Sequence, residues 1–243
     1  MKKTIRLMAL VAMAAGLAFA SCEDDINNPG GGDTPGGGGG TETAEWVDLG
    51  LPSGLLWAKC NLGAAKPEDY GDYYAWGETT TKEVYNWSTY KYCNGGYFAH
   101  LTKYCDVSSF GYNGYTDNLT TLLAEDDAAT AKLGNGARMP TVDEWDELFD
   151  NTTAEWMTMN GVTGRKLTAS NGKSLFLPAA GYRWETELRL ARNYVYYWSS
   201  SLPVGNPIFA CYYNDYLSRN YDMELQYGGR AAGLPVRAVR SAR

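Results

Sequence analysis

The densest binding chemistry in this 243-residue chain lies in its last third. Two intervals, Glu185 to Tyr196 and Ile208 to Tyr227, carry Tyr194, Tyr196, Tyr212, Tyr213, Tyr216, Tyr221 and Tyr227, with Arg189, Arg192 and Arg219 among them. A tyrosine offers a large flat contact with few torsions to freeze and a hydroxyl at its tip, and an arginine adds a planar charged donor. That mixture suits recognition of an external ligand. The candidate contact residues are Glu185, Glu187, Arg189, Arg192, Tyr194, Tyr196, Ile208, Phe209, Tyr213, Asp215, Tyr216, Arg219, Tyr221, Glu224, Gln226 and Tyr227. The same tyrosines, with Ile208 and Phe209, also suit ordinary core strands, and residue type alone leaves both readings open.

Catalytic chemistry has weaker support. The one histidine, His100, sits in a segment rich in Gly and Tyr, without a recognisable nucleophile motif for a Ser-His-Asp site. No catalytic residue is assigned, and the chain is not expected to be an enzyme. Zinc is disfavoured because Cys60, Cys93, Cys105 and Cys211 form no CxxC unit. No metal or cofactor is expected. Cys93 and Cys105 flank one short loop and are the favoured disulfide pair, although free thiols are equally reasonable. The acids Asp143 and Glu144, and Glu125 to Asp127, read first as helix N-terminal residues, where the helix dipole favours negative charge.

The start of the chain has its own chemistry. Lys2, Lys3 and Arg6 precede a short apolar run from Leu7 to Ala20, the layout of an export signal too short to span a bilayer. Small residues then lead to Cys22, and the pattern resembles the bacterial lipobox, with an ordinary secretory signal as the alternative. The resemblance implies a diacylated Cys22 thiol and an acylated new N-terminus, several chains that together hold the protein to a membrane. Glu23, Asp24 and Asp25 resemble the surface-export signal of Bacteroidetes lipoproteins, which implies an outer-membrane lipoprotein displayed outside the cell. From Ile26 to Glu45 the chain is rich in Gly and Pro and has almost nothing to bury, as in a flexible tether.

The expected organisation is therefore a signal peptide over 1–21, a tether over 22–45 and one ligand-binding domain over 46–243. Loss of Lys2, Lys3 and Arg6 with the signal moves the formal charge from −7 to −10. No nucleic-acid partner is expected from that balance.

Within the domain, Trp46 to Trp57 places apolar segments on either side of Pro52-Ser53-Gly54, the pattern of a hairpin. The stretch from Tyr70 to Glu78 is dense in aromatics and glycine and favours strands and turns. Thr141 and Glu144 have capping-box spacing, and Trp145, Leu148 and Phe149 share one face of the helix that follows. An earlier helix is expected to start near Glu125-Asp126-Asp127 and to stop at Gly134.

Six ordered motifs then carry a resemblance. They are Val47 to Gly54, Asp69 to Glu78, Arg138 to Thr141 with Glu144-Trp145, Leu177 to Arg183, Tyr197 to Ser200 and Val236 to Val239. Together they resemble the Fibrobacter succinogenes major paralogous domain of Bacteroidetes lipoproteins, which is similar to the C-type lectin-like fold. The resemblance implies an α+β class: short antiparallel sheets with two helices and long loops. The residues between the motifs resemble the variable segment of diversity-generating retroelement proteins, where adenine-directed mutagenesis rewrites a displayed surface.

The function implied is a surface-displayed lipoprotein that binds an external protein or glycan through its C-terminal aromatic residues. The alternatives are a calcium-independent carbohydrate-binding module and a structural subunit of a surface appendage. The Glu-Pro-Asn and Trp-Asn-Asp motifs of calcium-dependent sugar-binding lectins are missing, as is the C-terminal cysteine pair of formylglycine-generating enzymes.

Overall fold

The structure is a computed structural model that describes residues 44–217 and 223–242. Cys22, Arg219 and Tyr221 lie outside the described residues, as do the signal and nearly all of the tether. In chain order the elements are β1 (Trp46–Asp48), β2 (Leu55–Ala58), β3 (Tyr73–Tyr74), α1 (Ala128–Leu133), α2 (Val142–Asp150), β4 (Thr152–Met159), β5 (Val162–Ala169), β6 (Ser174–Pro178), β7 (Tyr182–Trp184), β8 (Glu187–Arg189), β9 (Tyr194–Trp198), β10 (Phe209–Tyr216), β11 (Glu224–Gly229), β12 (Leu234–Pro235) and β13 (Val239–Ser241). The class is α+β: small antiparallel sheets ordered β1-β2-β13, β4-β5-β6, β9-β10-β11, β3-β12 and β7-β8, with the two α-helices beside them.

The expected opening hairpin forms, with Trp46 opposite Ala58 and Asp48 opposite Leu56. Its turn is tied by a hydrogen bond from Gly54 N to Leu51 O at 2.9 Å. The C-terminal strand β13 pairs with β2, so the two ends of the domain share one sheet. Arg237 locks that closure from inside. Its buried guanidinium donates to Asn61 Oδ1 at 2.9 Å, to the carbonyls of Ala58 and Lys59 at 3.1 and 2.6 Å, and to Phe176 O at 2.9 Å. A buried charge is tolerable only when its donors are satisfied in this way.

Both helices begin where their caps direct. Asp127 Oδ1 accepts from the amides of Ala129 and Thr130, and Gly134 (φ +57°) ends α1. Thr141 Oγ1 accepts from Glu144 N while the Glu144 carboxylate takes the Thr141 amide, a complete capping box for α2. Glu144 also holds Arg138, so its carboxylate is consumed by structure. Trp145 and Leu148 are fully buried, and Phe149 packs beside them.

The β9-β10-β11 sheet stands between two apolar cores. Side chains alternate across a strand. Val195, Tyr197 and Tyr213 therefore point to one side, where they meet Trp57, Trp145, Leu148 and Leu177. Tyr196, Trp198 and Ala210 point to the other side, toward Tyr74, Trp76, Leu234 and the buried tyrosines of the long middle loops. Those loops converge on Asp126, which accepts hydrogen bonds from Tyr92, from Tyr104 at 2.7 Å and from Lys103 at 2.6 Å.

Cys60, Cys93, Cys105 and Cys211 are all free thiols. The expected Cys93–Cys105 bond is absent: Cys93 Sγ donates to Tyr97 O at 3.1 Å, and Cys105 Sγ to Val107 O at 3.2 Å. Each sulfur is held within its own turn. Among the described residues, no helix is long and apolar enough to cross a membrane.

Candidate ligand-binding surface

The strand period sorts the tyrosines of the C-terminal third onto two faces. In register, Tyr212 lies opposite Trp198 and Gln226, Asn214 opposite Tyr196 and Glu224, and Tyr216 opposite Tyr194. These residues share one face. Near Trp198 that face meets the core, but toward Tyr216 it opens as a row of half-buried rings. Tyr194 stacks on Tyr216 with centroids 5.2 Å apart and on Tyr196 at 5.8 Å, with interplanar angles of 26° and 21°.

The β7-β8 hairpin forms the facing wall. Tyr182 pairs with Arg189 and Trp184 with Glu187. Arg183 exchanges backbone hydrogen bonds with Gly233, which ties the hairpin to the segment before β12. Gly181 adopts φ +61° at the entry to β7, and a Cβ there would stand 2.1 Å from Arg189 O. Only glycine permits that approach. Arg189 bends back so that its Nε and Nη2 both donate to Glu187 Oε2, at 3.0 and 2.8 Å. The guanidinium is thereby held beside Tyr182 and partly neutralised.

Between hairpin and sheet lies a cavity of about 370 Å³ lined by Tyr182, Trp184, Arg189, Tyr196, Trp198, Tyr212, Gly228, Gly229, Ala232 and Leu234. Tyr182 meets Tyr196 at 5.3 Å and 64°, Tyr196 meets Tyr212 at 5.6 Å and 37°, and Trp198 meets Tyr212 at 5.9 Å and 86°. Burial pushes the Tyr212 phenol up to about 12 and raises that of Tyr196 as well. Both rings stay neutral at physiological pH. A second, shallower depression of about 320 Å³ lies at the far end of the row, by Asn193, Tyr194, Tyr216 and Leu217.

The structure brings some of the expected contact residues to this surface and removes others. Arg189 and Tyr196 line the cavity, Tyr194 and Tyr216 extend it, and Glu224 and Gln226 lie on the same sheet face. Tyr213 and Asp215 are corrections: both are 1 % exposed on the opposite face. The Tyr213 hydroxyl donates to Asp146 at 2.6 Å while its ring packs against Phe149 and Trp145 at 5.1 and 5.8 Å. Asp215 forms a buried ion pair with Arg165 at 3.0 Å. One residue of strand register separates each of them from the open face.

Phe209 and Tyr227 also project from the side opposite the cavity, at the sheet's margin, with Tyr227 well exposed. Ile208 is half-buried just before β10, and its carbonyl accepts from Arg230 N at 3.3 Å. Glu185 (φ +54°) serves the turn after β7, where its carboxylate takes a hydrogen bond from Asn86 Nδ2 at 2.7 Å. Arg192 (φ +71°) turns the chain into β9, with its amide bonded to Ala179 O at 2.7 Å.

The list of contact residues omitted Tyr182, Trp184, Trp198 and Tyr212, all on the cavity wall. Period-two alternation through Tyr194-Tyr196-Trp198 and Tyr212-Asn214-Tyr216 was the available signal for the last two. For Tyr182 and Trp184 the chain offers only a motif that reads as scaffold. Among the described residues, no group of His, Cys, Asp or Glu side chains is arranged to hold a metal ion. Compared with known protein families, curated proteins and solved structures, the chain gives no match.

Proposed function

We propose that this protein is a surface-displayed lipoprotein, anchored through Cys22, whose C-type lectin-like domain binds an external ligand at the aromatic cavity between the β7-β8 hairpin and the β9-β10-β11 sheet. The observation that carries this reading is the inequality of the sheet's two faces. One face is consumed by packing against α2, whereas the other, which meets the second core at Tyr196 and Trp198, also keeps partly open rings and a cavity large enough for a small ligand or a protruding side chain. Aromatic side chains left partly open to water are the usual energetic anchors of binding surfaces.

Diversification by a retroelement remains part of the proposal, because the exposed margins of the sheet carry residues that replacement of asparagine codons readily yields. A near-copy of the coding segment for Tyr182 to Arg240, differing only at adenines and lying beside a reverse-transcriptase gene, is the expected genomic signature.

The test is a glycan and protein array probed with the detergent-solubilised full chain and with its Trp184→Ala variant. Binding by the parent that is lost in the variant is the expected result. Equal binding by both places the functional surface elsewhere. Self-association of the parent, without array binding, favours the structural-subunit reading instead.

A further inference from the structure

The cavity has a chemical bias that narrows what it takes. Five of the ten described residues that line it are aromatic, and where Tyr182, Tyr196, Trp198 and Tyr212 meet, their rings stand at 37° to 86° instead of forming one flat platform. Among the described residues, its lining contains no Asn, Asp, Gln or Glu side chain. A sugar ring asks for the reverse arrangement, one flat stacking face fringed by planar polar groups that pair with its hydroxyls.

The phenols of Tyr196 and Tyr212 are neutral, so the walls carry no formal negative charge to form an ion pair. What they offer is aromatic surface, most of it from the partly exposed Tyr182, Trp184 and Tyr212, since Tyr196 is 8 % and Trp198 1 % exposed. Arg189, the lining cation, is already engaged by Glu187 and sits at the hairpin edge. The chain as a whole is acidic, with 28 acidic against 21 basic side chains, which draws cations toward it.

Resting on the binding role just proposed, we infer that the cavity recognises a methylated ammonium group, held by cation–π attraction from Trp184, Tyr196 and Tyr212. A trimethylammonium head is bulky and weakly hydrated, so it loses little on leaving water and gains from each ring face it meets. An unmethylated ammonium is more strongly hydrated and lacks carboxylate partners in the lining, so it is discriminated against. The same head occurs on a choline lipid, on a trimethylated lysine side chain and on small free solutes.

The experiment is a calorimetric titration of the full chain, in a nonionic polyoxyethylene detergent, with choline and with 3,3-dimethylbutan-1-ol, its uncharged carbon isostere. Choline is expected to bind about tenfold more tightly than the isostere. Trp184→Leu should cut that preference several-fold, because it keeps apolar bulk and removes a π face, while Tyr212→Phe should preserve it. Far-ultraviolet circular dichroism checks that each variant is folded.

Phosphatidylcholine vesicles and a trimethyllysine peptide, each competing with choline, assign the head to lipid or to protein. Equal binding of choline and isostere, both sensitive to Trp184→Leu, overturns the ammonium assignment and leaves the cavity as a binding site. Failure of both to bind, while an array ligand still depends on Trp184, also overturns it. Failure of every ligand to depend on Trp184 removes the proposed function as well.

Discussion

The Tyr212 ring lies against Gly228. A Cβ on Gly228 would stand 2.7 Å from Tyr212 Cε1 and 3.2 Å from Cδ1. Gly228 is thus the floor on which one cavity wall rests, and the ring keeps its place because β11 carries no side chain there. Gly229, the next residue, is covered by Trp87, whose Cζ2 would lie 3.7 Å from an added Cβ.

Gly228→Ala is expected to push the Tyr212 ring into the cavity. The predicted result is a loss of ligand binding of about tenfold or more, with a stability cost of about 1–3 kcal/mol from overpacking. Array binding and a urea melt on the same preparation check it. Gly205→Ala, at an exposed turn away from the cavity, should leave binding intact.

Tyr212 and Tyr213 are neighbours with opposite duties. Tyr213→Ala removes a ring packed on Trp145 and Phe149 and should cost about 3–5 kcal/mol of stability. Tyr212→Ala should mainly reduce binding. Tyr213→Phe keeps the ring, loses the hydrogen bond to Asp146 and should cost about 1 kcal/mol. Chemical denaturation of the three variants orders them; a larger stability loss for Tyr212→Ala than for Tyr213→Ala would reverse the assignment of faces.

Asp215 and Arg165 form a buried ion pair beneath the sheet, with the guanidinium also 5.7 Å from the Trp156 ring. Asp215→Ala leaves a buried guanidinium without its counter-charge and should cost about 3–5 kcal/mol. The double variant Arg165→Met with Asp215→Leu should recover most of that loss, because it removes both desolvated charges. A double-mutant cycle read by thermal melting checks the recovery.

The middle loops depend on one ionised carboxylate. Burial works to raise the Asp126 carboxyl, but hydrogen bonds from Lys103, Tyr92, Tyr104 and Lys91 outweigh it and hold the pKa at about 2. A folded-state pKa below the unfolded value means the stabilisation is present above the unfolded pKa, near 4, and fades as pH falls toward the folded one. Stability should therefore drop by about 2 kcal/mol between pH 4 and pH 2 on account of this group. In Asp126→Asn that part of the pH dependence should vanish, from a lower plateau at neutral pH. Denaturation midpoints measured across this range test it.

Local chemistry was readable without coordinates wherever a residue acts on its chain neighbours. The Thr141–Glu144 capping box, the stop of α1 at Gly134 and the β1-β2 turn follow from spacing and backbone freedom, and each forms as expected. Of the two readings left open for Cys93 and Cys105, free thiols hold, because loop proximity in the chain says nothing about where two sulfurs point: each turns toward a carbonyl of its own segment.

By itself the sequence determined that the C-terminal third is an aromatic, strand-forming segment of an acidic chain. What only the tertiary structure decided is which aromatic residues face the cavity between hairpin and sheet. Tyr212 and Tyr213 have the same side chain and adjacent positions, yet one walls the cavity while the other supports α2. That division is set by the pairing of β10 with β9 and β11, a contact between distant parts of the chain, because a shift of one residue in register exchanges the two faces of a strand. Trp184 and Tyr182 join the site for the same reason: the β7-β8 hairpin folds over the sheet, and no local pattern records where it lands.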